Sequence, residues 1–409
     1  MHPILFRIPM PGWDLPIVGK VDAIPIYAYG VMLGLSLVAG WYLTLGLCKR
    51  DGLPRETMAN NYVITAIVAV VMSRVLYVVT NPEEFNTTWE IISFRGGGLV
   101  AYGGFIGGFL GSFAYLRYKR IPLLPWADVA VPSLAIGTAI TRIGCYLFGC
   151  DYGRPLAENA PGWVKKLGTF PRWSADVGIP GSPAWSHHTK ANLIDITADH
   201  SLPVHPTQLY EMLIGAGLLA FLLWARKRQT FRGQIFFLWA FIYGFLRFLL
   251  EIVRDDPERG SLPGSLPEHI FLPLCLLLFA VGYAVSFANM IPNVTVRRVT
   301  QVAAFLPPIV AFFWLKPAAF ATPVLMQLSS SQGIALASIA VCGFYFVYDK
   351  AAREHPEAAM DLNLPESEME EEPRVEEPQA DEAKAKDETP AEPAKKKTKK
   401  KKKKRAAGA

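Results

Sequence analysis

The sequence predicts an all-α polytopic membrane protein: a seven-span core, two further C-terminal spans, a long loop folded as an outer cap, and a charged tail. Three observations carry that prediction. Of the 409 residues, 51% are hydrophobic and only 19% charged, against about a quarter charged in soluble domains. Apolar runs near the ~20 residues needed to cross a bilayer recur along the chain. Lys and Arg gather in every second loop, as orientation in a membrane requires. This balance excludes a pair of soluble domains and fits one membrane domain plus a tail.

Residues 1–13 lack a basic segment followed by an apolar core, so no cleaved signal peptide is expected and the first span acts as its own insertion signal. The core, residues 1–290, contains spans at 26–47, 62–79, 99–116, 129–148, 209–225, 234–253 and 270–288. Residues 291–350 add two weaker spans, 302–315, broken by Pro307 and Pro308, and 333–348. Lys49, Arg50 and Arg55 follow the first span, Arg117, Lys119 and Arg120 the third, Arg226, Lys227, Arg228 and Arg232 the fifth, and Arg297 and Arg298 the seventh. The intervening loops 81–98 and 255–268 hold only Arg95 and Arg259. The N-terminus is therefore expected outside and the C-terminus in the cytoplasm.

On that topology, loop 149–204 is extracytoplasmic and long enough to fold as a small cap carrying Trp163, Trp173 and Trp185; His187, His188 and His200 read as surface residues. The tail, 351–409, alternates Glu, Pro, Ala and Lys and ends in a lysine run. It has too little apolar surface to fold and is expected to be disordered; its lysine run could touch anionic lipid headgroups or nucleic acid, but the plainer reading is a solvated tail that reinforces topology, and no nucleic-acid partner is expected. Cys48, Cys145, Cys150, Cys275 and Cys342 read as small hydrophobes; Cys145 and Cys150 are close enough in sequence to pair. No metal-ligand spacing and no nucleotide-binding glycine loop is present, so no cofactor and no metal are expected.

Four charges fall inside the spans: Arg74, Arg142, Arg247 and Glu251. Each costs roughly 2.5–3.5 kcal/mol at a bilayer centre, so each needs a partner or a purpose. Spans two, four and six run outward, which puts all four in the outer half, Arg142 about 9 Å below the end of its helix. Spacings of four and three place Arg247, Glu251 and Arg254 on one helix face. Spans one, three and five open on the same side with Tyr29, Tyr102, His205, Gln208, Tyr210 and Glu211. Arginine–glutamate pairs can simply lock helices together. Three arginines against one buried acid, however, read as excess positive charge suited to a phospholipid phosphate, which planar guanidinium forks match. Small residues spaced four apart from Gly96 to Gly108 permit close helix approach and also bring backbone N–H groups within reach of an oxyanion.

Several motifs in order resemble the prolipoprotein diacylglyceryl transferase family. They are the glycine-rich run through Gly103 and Gly104, Thr141-Arg142-Ile143-Gly144, Gly149-Cys150-Asp151-Tyr152-Gly153, His205-Pro206-Thr207-Gln208-Leu209-Tyr210-Glu211 and Tyr243-Gly244-Phe245-Leu246-Arg247, with Tyr29-Gly30 and Ser73-Arg74 earlier. The resemblance covers roughly residues 1–290. It implies transfer of the diacylglyceryl group of phosphatidylglycerol to the lipobox cysteine of a bacterial prolipoprotein, forming a thioether and releasing glycerol 1-phosphate at the outer face of the cytoplasmic membrane. It implies phosphatidylglycerol binding by Arg142 and Arg247 together with Arg74, Tyr29, Gly103, Gly104, Gly153 and Gln208. Three positions depart from the commoner pattern: Tyr102 stands where the family usually has His, and Cys145 and Cys150 stand for Asn and Glu.

In the mechanism this suggests, Arg142 and Arg247 clamp the phosphate and Glu251 orients Arg247. A proton acceptor must activate the thiol. His205 ranks first because imidazole titrates in the useful range, with helix capping as its plainer role. Tyr102 ranks second and Glu251 third. A lipid transporter or scramblase, or a non-catalytic receptor for lipid or lipoprotein, are the alternatives.

Overall fold

The apolar runs fold as helices in a computed structural model that describes residues 2–15, 19–85, 87–92, 98–173, 181–256, 260–319, 324–353, 360–362 and 364–365. A feature absent from the sequence expectation comes first. Strands β1 (Ile4–Leu15) and β2 (Gly19–Tyr27) form an antiparallel hairpin in which Ile8 faces Ile24. Its register shifts between Pro9 and Trp13, where the alternation that would advertise a strand is lost. The hairpin feeds directly into α1, whose first amide, Ala28 N, donates to Pro3 O at 2.8 Å.

The bundle follows as α1 (Ala28–Asp51), α2 (Arg55–Thr80), a short α3 (Thr88–Ile92), α4 (Ala101–Tyr118) and α5 (Leu123–Phe148). Two short helices of the cap, α6 (Gly162–Leu167) and α7 (Pro183–Lys190), precede α8 (Thr207–Arg226), α9 (Gln234–Val253) and α10 (Glu268–Val285). Last come α11 (Val294–Ala303), α12 (Leu306–Ala319) and α13 (Ser330–Arg353). A two-residue pair, β3 (Leu266–Pro267) with β4 (Leu325–Met326), ties α10 to the lead-in of α13. Helices pack as α2 on α4, α1 on α5, α5 on α8, α8 on α9, α9 on α13 and α10 on α12.

Among the described residues, seven helical stretches are long and apolar enough to cross a membrane. They are not quite the expected seven. Val294–Leu315 qualifies because α11 extends the expected weak span 302–315, whereas α4 is not among the seven. The exposed side chains fit lipid rather than water: α2 turns Val63, Ile67, Val70, Val71, Val75 and Val79 outward.

The glycines of α4 have a structural purpose. A Cβ on Gly103 would collide with the backbone of Met72 and Ser73, and one on Gly107 would come 2.6 Å from Val68 O. Close approach of α4 to α2 therefore accounts for the stripe at Gly103, Gly104 and Gly107. Gly96 and Gly97 lie outside the described residues.

At the bundle end away from Arg142 and Arg247, a buried acid fastens three segments. Asp128, fully buried on α5, accepts the amides of Gly233 (2.6 Å), Ile235 and Phe236 (3.0 Å each) and the side chain of Gln229 (2.6 Å). A carboxylate here satisfies the orphan donors at the start of α9 and complements its dipole. Asp128→Ala is expected to destabilise the protein by about 3 kcal/mol, since it strands buried amides; thermal unfolding in detergent measures this, and Asp128→Asn should recover part of it.

The tail expectation is modified at its start. Helix α13 runs on to Arg353, and Leu362 and Leu364 pack against a cluster that includes Leu47, Cys48 and Trp126, while Arg232 Nε donates to Met360 O at 3.2 Å. Residues 366–409, including the lysine run, lie outside the described residues. The 149–204 loop folds around Tyr152, Phe170, Ala184 and Val204. His188 is not a surface residue as expected but is buried, accepting Leu202 N at Nδ1 (3.2 Å).

Candidate active site

The charged residues converge at one end of the bundle, where α5 and α9 finish and α8 begins. Glu211, one turn into α8, is the hub. Its Oε2 accepts Arg142 Nε at 2.9 Å and Arg247 Nη1 at 3.0 Å, and its Oε1 accepts the Tyr243 hydroxyl at 3.0 Å. Two guanidinium groups from different helices thus meet on a single oxygen. Arg247 also pairs with Glu251 at 2.5 Å, one helical turn along α9. Glu251 is shared with Arg254 (3.4 Å), which grips Asp256 through two bonds of 2.7 Å.

Asp151 closes the network from the cap side, with Oδ2 2.5 Å from Arg142 Nη1 and Oδ1 2.5 Å from Arg254 Nη2. The backbone that delivers it is unusual. Gly149 ends α5 with φ +81°, and Asp151 itself has φ +56°, a left-handed conformation that Asp tolerates better than most side chains. A Cβ at Gly149 would meet Phe170 at 3.0 Å and Ser182 at 3.1 Å, so the turn needs glycine on both counts. Burial works to raise the Asp151 pKa, but Arg142, Arg254 and Arg247 outweigh it and hold the carboxyl well below its usual range. The acid stays ionised.

One expectation is corrected. The site does not present excess positive charge: three guanidinium groups, of Arg142, Arg247 and Arg254, face four carboxylates, of Asp151, Glu211, Glu251 and Asp256. Counting along single helices saw only Glu251; the other acids arrive from α8 and from the chain just beyond the helix ends.

Arg74 is placed differently from Arg142 and Arg247. Its guanidinium donates to the carbonyls of Glu90 (2.6 Å), Ile91 (2.9 Å) and Gly98 (3.0 Å) and lies over the Phe85 ring at 5.1 Å. It staples the segment that leads into α4. Tyr29 stands at the start of α1, where α5 comes close: a Cβ on Gly144 would lie 3.1 Å from Tyr29 Cα. Gly153 donates its amide to His205 O at 3.0 Å, and a Cβ there would clash with His205 and Val253, so it fits the cap against α8 and α9. Gln208 is fully buried and donates to Cys150 O at 2.5 Å, and its Oε1 has no hydrogen-bond partner among the described residues.

His205 does not cap α8, which has no side-chain cap. Its Nδ1 is 3.3 Å from the Tyr210 hydroxyl, and among the described residues no hydrogen bond joins the imidazole to the arginine cluster. Burial lowers its pKa below the ordinary 6.5, so the ring is neutral near pH 7. Tyr102, at the first turn of α4, is tied to the cluster through Ser331, whose Oγ lies 2.8 Å from the phenol oxygen and 3.3 Å from Arg247 Nη2.

Cys145 and Cys150 are both free thiols. Hydrogen bonding with Cys145, then burial, pushes the Cys150 thiol well above its ordinary value. The two sulfurs and an Asp151 oxygen lie within 4.8 Å of one another. A cation there would sit against Arg142 and Arg254, which already hold both Asp151 oxygens, so the set is poorly suited to a metal. Glu211, Asp151, Tyr243 and Ser331 had no role in the sequence reading. For Tyr243 a signal existed: it stands four residues before Arg247.

The family model for prolipoprotein diacylglyceryl transferase matches residues 16–296. The match ends within α11, so α12 and α13 lie beyond it. Among curated proteins, the phosphatidylglycerol–prolipoprotein diacylglyceryl transferase of Clostridium tetani is 28% identical over 266 residues, 65% of this chain and 95% of the relative. The second such transferase of Clostridium perfringens is 30% identical over 64% of this chain and 91% of its own length. That of Clostridioides difficile is 29% identical over 57% and 80%.

Proposed function

Because this chain belongs to the prolipoprotein diacylglyceryl transferase family and is a multi-pass membrane transferase, we propose that it moves the diacylglyceryl group of phosphatidylglycerol onto the lipobox cysteine of prolipoproteins. The observation that carries this reading is the meeting of Arg142 and Arg254 on the partly exposed Asp151 carboxylate, with Arg247 close by. Two planar cations aimed at one point are what a phosphate needs, and a headgroup phosphate is the anion found at this depth. The Lys and Arg pattern of the loops supports an N-terminus outside, a C-terminus in the cytoplasm and a site facing the outer leaflet of the bacterial cytoplasmic membrane.

The lipid phosphate enters by displacing Asp151, the most exposed carboxylate of the network with a side chain 25% accessible. Arg142, released by Asp151, and the neighbouring Arg247 then hold the phosphate, with the freed Arg254 beside them, while Glu211 and Glu251 keep the guanidinium planes fixed. The lipobox thiol attacks the diacylglyceryl carbon that carries the phosphate-ester oxygen, a C–S bond forms, that carbon's C–O bond breaks, and glycerol 1-phosphate leaves with the bonding pair. Charge growing on the departing oxygen is stabilised by the two arginines in a water-poor setting. The thiol proton passes to a neutral base, for which the partly buried imidazole of His205, its pKa lowered by desolvation, is suited.

Complementation of a bacterium depleted of its own transferase tests the function, and separates it from scramblase and receptor roles. The base has its own test. A base with a depressed pKa must be deprotonated to act, so the rate should rise with pH through a value below 6.5 and stay level above it. In His205→Ala that acid limb should vanish and the plateau should fall by about 10²-fold or more. A normal rate in this variant removes His205 as the base.

A further inference from the structure

Ser331 belongs to α13, outside the stretch shared with the family, yet its hydroxyl bridges two residues of the site: Tyr102 on α4 at 2.8 Å and Arg247 on α9 at 3.3 Å. The position is built. Ser329 and Gln332 form a reciprocal cap at the start of α13, with Ser329 N to Gln332 Oε1 at 3.0 Å and Gln332 N to Ser329 Oγ at 3.1 Å. Gln332 reaches on to Phe248 O at 3.4 Å, one residue beyond Arg247. The lead-in is held by Leu262 N to Leu328 O and Glu268 N to Val324 O, both 2.8 Å. Lower down, Gly244 leaves room for the helix, since a Cβ there would lie 2.7 Å from Ser338 Oγ.

Hydrogen-bond counting says what the bridge does. Arginine can only donate, so Ser331 Oγ accepts from Arg247. Between the two hydroxyls one proton makes their mutual bond, which leaves one hydroxyl proton for a ligand. We propose that Ser331 is a positioning residue of the transferase: it fixes the Tyr102 phenol beside Arg247 so that the Tyr102–Ser331 pair donates its spare proton to an oxygen of the phosphatidylglycerol phosphate. Helix α13 thereby completes the site. This rests on the transferase reading.

The test uses the full-length protein in detergent with phosphatidylglycerol and a lipobox peptide, comparing Ser331→Ala, Tyr102→Phe, their double variant, Ser331→Thr and Ser338→Ala. Each of the first two should lower kcat about tenfold, the scale of one hydrogen bond at a reacting group. KM for phosphatidylglycerol should change less. The double variant should be no slower than the slower single one, because both remove the same bridge. Ser331→Thr, which keeps the hydroxyl, should restore the rate, and Ser338→Ala, a packing control on α13, should match the native protein. A native kcat in Ser331→Ala, multiplicative effects in the double variant, or equal loss in Ser338→Ala would each overturn the proposal while leaving the transferase reading intact. A native chain without transfer activity would overturn both.

Discussion

Glu211→Ala is expected to eliminate measurable lipid transfer and to lower stability by about 3–5 kcal/mol, the usual cost of removing one partner from a buried ion pair. The side chain is only 3% exposed and neutralises two guanidinium groups at once. Without it, Arg142 and Arg247 face each other across an empty space in surroundings of low polarity, and the Tyr243 hydroxyl loses its acceptor. Glu211→Gln keeps the shape but not the charge, and should be intermediate in both measurements. Thermal unfolding in detergent and gel-shift assays of prolipoprotein modification read the two effects. Unchanged activity in Glu211→Ala would remove it as the hub.

The arginines themselves come next. Arg247→Ala and Arg142→Ala should each reduce the transfer rate by about 10²–10³-fold, the range seen when one preorganised donor is taken from a developing negative charge. Lysine should rescue neither. Arg247 makes separate bonds to Glu211, Glu251 and Ser331, and a single ammonium cannot span those three directions. Full activity in both alanine variants would refute the phosphate clamp. Arg74→Ala should behave otherwise: its bonds to three carbonyls make it a support of the segment before α4, so the loss should track stability.

The helices were legible because a long apolar run states its own structure, and Arg247, Glu251 and Arg254 fell on one face because helical spacing fixes neighbours within a helix. Partners on other helices were not legible. Arg142 and Glu211 are 69 residues apart, Tyr102 and Ser331 229 apart, and their contacts depend on how each helix is rotated about its axis. Nothing in one sequence sets that rotation. Depth alone grouped Arg74 with the other arginines, and only the carbonyls of Glu90, Ile91 and Gly98 separate it. The hairpin at Ile4–Tyr27 was hidden by prolines that interrupt its alternation. The glycine stripe of α4 was read two ways, and the geometry selects helix contact.

Asp151 has a consequence for turnover. On the proposed mechanism its bridge between Arg142 and Arg254 makes it a resident counter-ion, added to the fixed acids Glu211 and Asp256 that these arginines keep. Departure of a doubly charged product then becomes a swap of one anion for another, and the pull that would trap that product is relieved by the carboxylate swinging back. An Asp151→Asn enzyme would hold glycerol phosphate longer, and its kinetics would show a burst followed by a slow steady state.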